Sequence, residues 1–84
     1  MAMRLIDELS EDIFAKDVLG EIVCISLSKE GLKDLMTDYE EEFQIELIES
    51  GRKVSEADLM DYFGKKIIVE EQEAGAKYSL YSKA

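Results

Sequence analysis

The side chains with the most chemical capacity in this sequence are carboxylates. They are densest in residues 39–50, YEEEFQIELIES, which hold five glutamates. Carboxylate oxygens bind hard cations such as Ca²⁺, but the calcium-loop pattern of alternating Asp or Asn with a central glycine is missing. Paired carboxylates can also hydrolyse glycosides, although a chain of 84 residues has little room for a sugar cleft. The pattern therefore favours a solvated acidic face over a metal or catalytic site.

Composition restricts the other catalytic chemistries. The chain has no histidine, which excludes Ser-His and Cys-His nucleophile pairs and removes the most common general base at neutral pH. The single Cys24 lies in the apolar run IVCI, where cysteine behaves as a small buried hydrophobe, and it cannot supply the several ligands of a zinc site alone. No clustered glycine loop is present to hold a phosphate. We expect no catalytic residue, metal site or cofactor, and a protein that is not an enzyme.

The charge balance indicates the kind of partner. Twenty acidic and ten basic side chains give a formal net charge of −10, which should repel both nucleic acid and anionic membranes. A basic protein surface, including one that otherwise holds DNA or RNA, is the complementary partner. The alternative is that the charge only keeps the protein in solution.

One segment is the best candidate for the contact surface, because no Lys or Arg interrupts residues 34–51. Its carboxylates would occupy a basic groove and exclude nucleic acid from it. A tyrosine near the end of the chain joins them, because strand alternation would turn it away from Tyr78 and Leu80 as an exposed aromatic contact. The predicted partner-binding residues are Asp34, Asp38, Glu40, Glu41, Glu42, Glu46, Glu49 and Tyr81.

The first half of the chain has clear periodicity. Residues 3–19 repeat apolar side chains at helical spacing, and residues 21–27 form an apolar, β-branched run that predicts a central strand covered on both faces. Ser28 is placed as the N-cap of a second helix. Four of the five glycines fall where a periodic segment stops. The predicted apolar stripes are Leu5, Ile6, Leu9 and Ile13 for the first helix, and Leu32, Leu35, Met36 and Tyr39 for the second.

Residues 39–50 fit two interpretations. If the second helix continued to Ser50, Ile45 and Ile48 would turn toward water. As a strand, Phe43, Ile45 and Leu47 share one face and point inward. We favour the strand, so that the helix ends near Glu41 and the strand begins at about Glu42.

The last third of the chain predicts a helix and two strands. Ser55 and Asp58 resemble a capping box ahead of a short helix that ends before Gly64. Residues 65–71 and 76–82 alternate as strands, with Ala74 and Gly75 between them favouring a hairpin. The expected fold is a single α+β domain over residues 1–84, in the order α-β-α-β-α-β-β, with helices packed on a small sheet and a C-terminal hairpin.

Residues 35–63, LMTDYEEEFQIELIESGRKVSEADLMDYF, resemble the second half of acyl carrier proteins. The shared features are a helix ending in EEEF, an I-E-[IL] segment and a K-[IV]-[ST]-x-x-D-[LV]-x-D-Y motif. The resemblance implies a small acidic cytoplasmic carrier whose serine, in an Asp-Ser-Leu motif, bears phosphopantetheine. The corresponding positions here are Ser28, Lys29 and Glu30, so lysine stands at the serine position. The apolar run at 21–27 and the β-patterned tail have no counterpart in that family.

Size and charge are also similar to those of small inhibitors encoded by phages and mobile elements, including DNA mimics, anti-CRISPR and anti-restriction proteins, and to those of antitoxin or immunity proteins. We therefore expect a non-enzymatic inhibitor that occupies the basic surface of a nucleic-acid-binding or nuclease partner. The alternative is a degenerate acyl-carrier-like protein. One cysteine and no apolar run long enough to span a membrane indicate a cytoplasmic location.

Overall fold

The computed structural model describes residues 3–83, which form four helices and three strands. The predicted α+β fold, with helices packed on a small sheet, is confirmed. In chain order the elements are α1 (Leu5–Asp17), β1 (Ile22–Leu27), α2 (Lys29–Glu42), α3 (Gln44–Ser50), α4 (Glu56–Phe63), β2 (Lys66–Val69) and β3 (Tyr78–Ser82), with a 3₁₀ turn (Glu73–Gly75) before β3.

Local signals set the boundaries of the helices. The Ser28 hydroxyl accepts the backbone N–H of Gly31 at 2.9 Å, and so caps α2 as expected. Ser55 and Asp58 form the predicted capping box at the start of α4. Gly51 and Gly64 follow α3 and α4 in the left-handed conformation, with φ of 66° and 67°, which lets the chain turn away from each helix.

The sheet has the order β2-β1-β3. β1 is parallel to β2, and Ile25 lies opposite Ile67 in that pair. β1 is antiparallel to β3, and there Ile25 lies opposite Leu80. The parallel pair needs a long crossover, and α2, α3 and α4 provide it. β1 is thus the central strand, as its apolar run predicted.

The hydrophobic core lies between one face of this sheet and the helices. It joins the α1 stripe to one residue each of α2 and α4 and to the inward side chains of β1 and β2. Burial of this common apolar surface is the main force holding the two layers together. The buried core residues are Ile6, Leu9, Ile13, Ile25, Leu27, Leu35, Leu59 and Ile67.

The strand predicted from about Glu42 is wrong, because residues 44–50 form the helix α3. Phe43 separates it from α2 with φ −113° and ψ 30°, and its ring lies 4.5 Å from that of Tyr39 and 6.0 Å from that of Tyr62. This aromatic packing fixes the bend at Phe43, while the helix satisfies its own backbone hydrogen bonds without a neighbouring strand.

Two features of the sheet differ from expectation. Within residues 3–83, β2 and β3 both pair with β1 and not with each other, so the two C-terminal strands flank the central strand and do not form a β2–β3 hairpin. The helices cover only one face of β1. On the other face Ser26 is buried and hydrogen-bonds to the side chains of Glu70 and Gln72, which follow β2 in the chain.

Candidate functional site

The seven predicted contact carboxylates all lie on two successive helices. Five are on α2, from Asp34 to Glu42, and two are on α3, Glu46 and Glu49. The bend at Phe43 changes the direction of the chain between the two sets. The structure therefore presents the acidic segment as two short helical faces and not as a helix followed by a strand.

Three of these carboxylates make contacts with other parts of the fold. Asp34 pairs with Lys77 Nζ at 2.5 Å and raises the pKa of that lysine. Glu42 pairs with Arg4 at 3.0 Å. Asp38 accepts the backbone N–H of Ile6 at 3.2 Å, in the first turn of α1, where a helix leaves its N–H groups without internal partners. These contacts tie α2 to α1 and to the residue before β3.

The other four carboxylates face solvent. Glu40, Glu41, Glu46 and Glu49 are exposed, and their side chains have no hydrogen bond or ion pair with any residue between positions 3 and 83. They are the members of the predicted set that can meet a partner without breaking an internal contact. We call these four residues the acidic surface.

Two isoleucines lie beside the acidic surface. Ile45 is 69% exposed and Ile48 is 72% exposed, which is the outcome of the helical interpretation of residues 39–50 and not of the strand that we favoured. An isolated exposed isoleucine is ordinary, but two within one turn of helix form an apolar contact area between glutamates.

A groove of about 600 Å³ runs along the acidic surface at the junction of α2, α3 and residues 52–54. The half-buried side chains of Leu47 and Val54 line it. Its exposed lining residues are Thr37, Glu40, Glu41, Gln44, Ile48, Arg52 and Lys53. Carboxylates, cations and apolar groups thus meet in one concave surface.

Tyr81 lies apart from the acidic surface. It is 45% exposed and sits opposite Cys24 in the sheet, on the face away from the helices. The predicted orientation, opposite to Tyr78 and Leu80, is confirmed, because those two side chains pack on the core. Since α2 packs on the other side of the sheet, the structure does not bring Tyr81 together with the acidic helices.

The Tyr81 hydroxyl belongs to a polar cluster. It donates to Glu70 Oε1, which also accepts the Ser26 hydroxyl at 2.6 Å, and Gln72 Nε2 donates to Ser26 Oγ at 2.7 Å. The hydrogen bonds from Ser26 and then Tyr81 hold the pKa of Glu70 below its usual range. This cluster satisfies the hydroxyl of Ser26, which is buried in β1, and no local pattern in the sequence indicates it.

A second apolar patch was missed at the sequence level. Phe14 is 78% exposed, and Val18 and Leu19 beyond it are similarly open to solvent. These residues lie outside the apolar stripe of Leu5, Ile6, Leu9 and Ile13. That departure from the helical periodicity was the sequence feature that could have indicated their exposure.

The remaining chemistry of the described residues is limited. Among positions 3–83, no group of three or more His, Cys, Asp or Glu side chains is placed so that it could hold a metal ion. Cys24 is a free thiol of intermediate exposure in β1. In the same part of the chain, no helix combines the length and the apolar content needed to cross a membrane.

Comparison with protein-family models, with curated proteins and with solved structures gives no match to this chain.

Proposed function

We propose that this chain is a non-enzymatic protein that binds another protein through the acidic surface on α2 and α3. The partner is a nucleic-acid-binding protein or nuclease, and the carboxylates occupy the basic groove that otherwise holds DNA or RNA. The chain thereby acts as an inhibitor of the DNA-mimic type. The supporting observation is that Glu40, Glu41, Glu46 and Glu49 are exposed and have no internal partner among the described residues.

The position of these glutamates favours a contact role over a purely solubilising one. Glu40 and Glu41 lie in the last turn of α2 and Glu49 in the last turn of α3, and neither turn contains a basic residue. The C-terminal end of a helix carries a partial negative charge, so acidic residues there destabilise the helix. Glutamates elsewhere on the surface would give the same solubility without this cost. A cationic partner surface would relieve the repulsion at both helix ends.

The internal ion pairs indicate which carboxylates should contribute most to partner binding. Asp34 and Glu42 are neutralised by Lys77 and Arg4, so a partner would have to compete with an existing ion pair. Such exposed pairs contribute little to stability, but their carboxylates are less available for a new contact. The acidic surface should therefore carry most of the electrostatic attraction.

Matched charge reversals test the proposal. In the test variant Glu40, Glu41, Glu46 and Glu49 are replaced by lysine. In the control variant the same change is made at four exposed glutamates outside α2 and α3, so that the net charge is identical: Glu11, Glu21, Glu71 and Glu73.

Each immobilised variant is incubated with a cellular protein fraction eluted from heparin, and captured proteins are identified by mass spectrometry. The wild type and the control should capture the same partner, which should release a labelled DNA or RNA when the chain is added. The test variant should lose capture and displacement, because its contact surface is now cationic. Equal capture by both variants would show that the glutamates only solubilise the protein.

The acyl-carrier alternative is supported by α2, which ends at Glu42 and so agrees with the helix ending in EEEF of the resembling sequence. Its attachment residue would have to be Ser28, whose hydroxyl accepts the Gly31 N–H as the α2 cap. Intact mass after incubation with a phosphopantetheinyl transferase separates the two proposals. The inhibitor proposal expects no mass increase, and modification of Ser28 would favour the carrier.

A further inference from the structure

The groove beside the acidic surface has an apolar base and charged rims. Leu47 and Val54 are half-buried within it, and Ile48 adds exposed apolar surface at its edge. The groove exists because α2 ends at Phe43 and because Gly51, with φ 66°, ends α3 and returns the chain toward α2. A volume of about 600 Å³ lies within the range of small-molecule pockets, which leaves room for one large side chain.

The charges on its rims have opposite signs. α2 supplies Glu40 and Glu41, whereas the segment after α3 supplies Arg52 and Lys53. Arg52 donates to Asp58 at 2.7 Å, and this bond lowers the pKa of the Asp58 carboxyl. Lys53 has no ion pair with any residue in the described range 3–83. Two carboxylates and one ammonium group are therefore available to an occupant.

We infer that this groove binds an extended or helical peptide segment of the partner protein, with one large apolar side chain seated against Leu47, Ile48 and Val54. The inference rests on the proposed function and specifies the chemistry of the bound segment. A Lys or Arg on one side of the apolar anchor pairs with Glu40 and Glu41. An Asp, Glu or terminal carboxylate on its other side pairs with Lys53.

Charge complementarity selects this occupant. A nucleic acid would bring phosphates against Glu40 and Glu41, and a second copy of this chain would bring another strongly acidic surface. A purely basic segment would meet the repulsion of Lys53. An apolar anchor between opposite charges satisfies all three groups and uses the central apolar contact that typically contributes most to protein binding.

A displayed library of random dodecapeptides is selected against the folded protein. The enriched sequences identify which residue types the groove prefers in a bound peptide. We expect enriched sequences to share a Leu, Ile, Met or aromatic residue with Lys or Arg within a few positions on one side and a carboxylate on the other. Failure to enrich any sequence family, or enrichment without basic residues, would overturn the inference.

Two isoleucines on α3 provide a matched pair of variants. Ile48 lines the groove and Ile45 does not, although their exposed fractions, 72% and 69%, are nearly equal. Ile48→Ser should weaken binding of a selected, fluorescently labelled peptide about tenfold, while Ile45→Ser should change its Kd less than about twofold. Equal effects of the two substitutions on Kd would show that the peptide does not use the groove.

A charge-swapped variant separates this inference from the proposed function. E40K/E41K/K53E should select peptides with the reversed order of charges, because the rims have exchanged sign. If it selects the same peptides as the wild type, the groove inference fails. The capture test uses the partner protein and a nucleic-acid displacement readout, so its result stands whether or not isolated peptides bind.

Discussion

Replacing Gly31 with alanine should destabilise the protein, although the same change stabilises most helices. Gly31 is buried in the first turn of α2. A Cβ at this position would overlap the backbone oxygen of Lys77 and lie 3.1 Å from its carbonyl carbon. That oxygen accepts the backbone N–H of Ser28 at 2.9 Å, a bond that joins the start of α2 to the chain entering β3. Relieving the overlap therefore requires the backbone to move, which would strain or break the hydrogen bond between Ser28 and Lys77.

The opposing terms can be compared for the free energy of unfolding. Alanine is favoured over glycine within a helix by about 0.5–1 kcal/mol. Forcing an extra carbon into a packed site costs about 1–3 kcal/mol, and losing the Ser28–Lys77 hydrogen bond costs about 0.5–1.5 kcal/mol. The net expected destabilisation is about 2 kcal/mol. For a domain of this size it lowers Tm by about 8–16 °C.

Gly20→Ala is the matched control. A Cβ at Gly20 meets no atom within 4 Å, and the residue has no positive φ, so alanine is accommodated. It should stabilise the protein by about 0.4–1 kcal/mol, because it restricts the unfolded chain. Urea denaturation followed by circular dichroism measures both changes. A Gly31→Ala protein as stable as the wild type, or midpoints that shift in the same direction for both variants, would refute the close contact with Lys77.

Two further predictions concern carboxylates that accept hydrogen bonds in the folded state. Asp58→Ala removes the acceptor for Arg52 and for the backbone N–H of Ser55. It should lower the free energy of unfolding, measured by urea titration, by about 1–2 kcal/mol. An unchanged urea midpoint would show that the capping box is not formed in solution. Hydrogen bonds from Ile22, Arg52 and Ser26 hold the pKa values of Asp17, Asp58 and Glu70, respectively, below their ordinary values of 3.8, 3.8 and 4.5. Because the folded values are the lower ones, this stabilisation is present above pH 4.5 and is lost as pH falls through the folded values. The urea midpoint should therefore decline between about pH 5 and pH 3, and a flat profile there would contradict these contacts.

The helix caps could be predicted from the sequence because their signals are local. Ser28 lies three residues before the N–H that it accepts, and Ser55 and Asp58 lie within one turn. Such bonds depend on residue type and spacing alone. The apolar, β-branched run of β1 also predicted its central position correctly, although of its apolar residues only Ile22, Ile25 and Leu27 are buried.

Residues 44–50 were misassigned because their pattern allows both a strand and a helix. The strand interpretation buried Ile45, and the helix interpretation exposed both Ile45 and Ile48, which is unfavourable in isolation. The structure adds a contact that is distant in sequence: the Phe43 ring packs on Tyr62 of α4 at the bend where α2 ends and α3 begins. Local periodicity does not include such a contact.

The strand pairing also depended on distant contacts. Ala74 and Gly75 were expected to form a hairpin turn, and both do have positive φ, 54° and 72°. Their turn instead lies on a longer connection that carries the chain past the end of β1, where Glu70 N–H donates to Leu27 O and Ser28 N–H donates to Lys77 O. The turn residues were recognised correctly, but the partner of each strand was not encoded in them.

In the acidic segment too, the sequence shows where the carboxylates lie in the chain, whereas their partners are set by the tertiary fold. The sequence located the carboxylates but could not separate those engaged in the fold from those available outside it. Asp34, Asp38 and Glu42 meet partners 43, 32 and 38 residues away, at separations that no local pattern reveals. Charge reversal across the whole segment would therefore combine two effects, loss of internal contacts and loss of any partner contact. Restricting the reversal to the acidic surface leaves the internal contacts intact, so that a loss of capture reports on the interface and not on the stability of the fold.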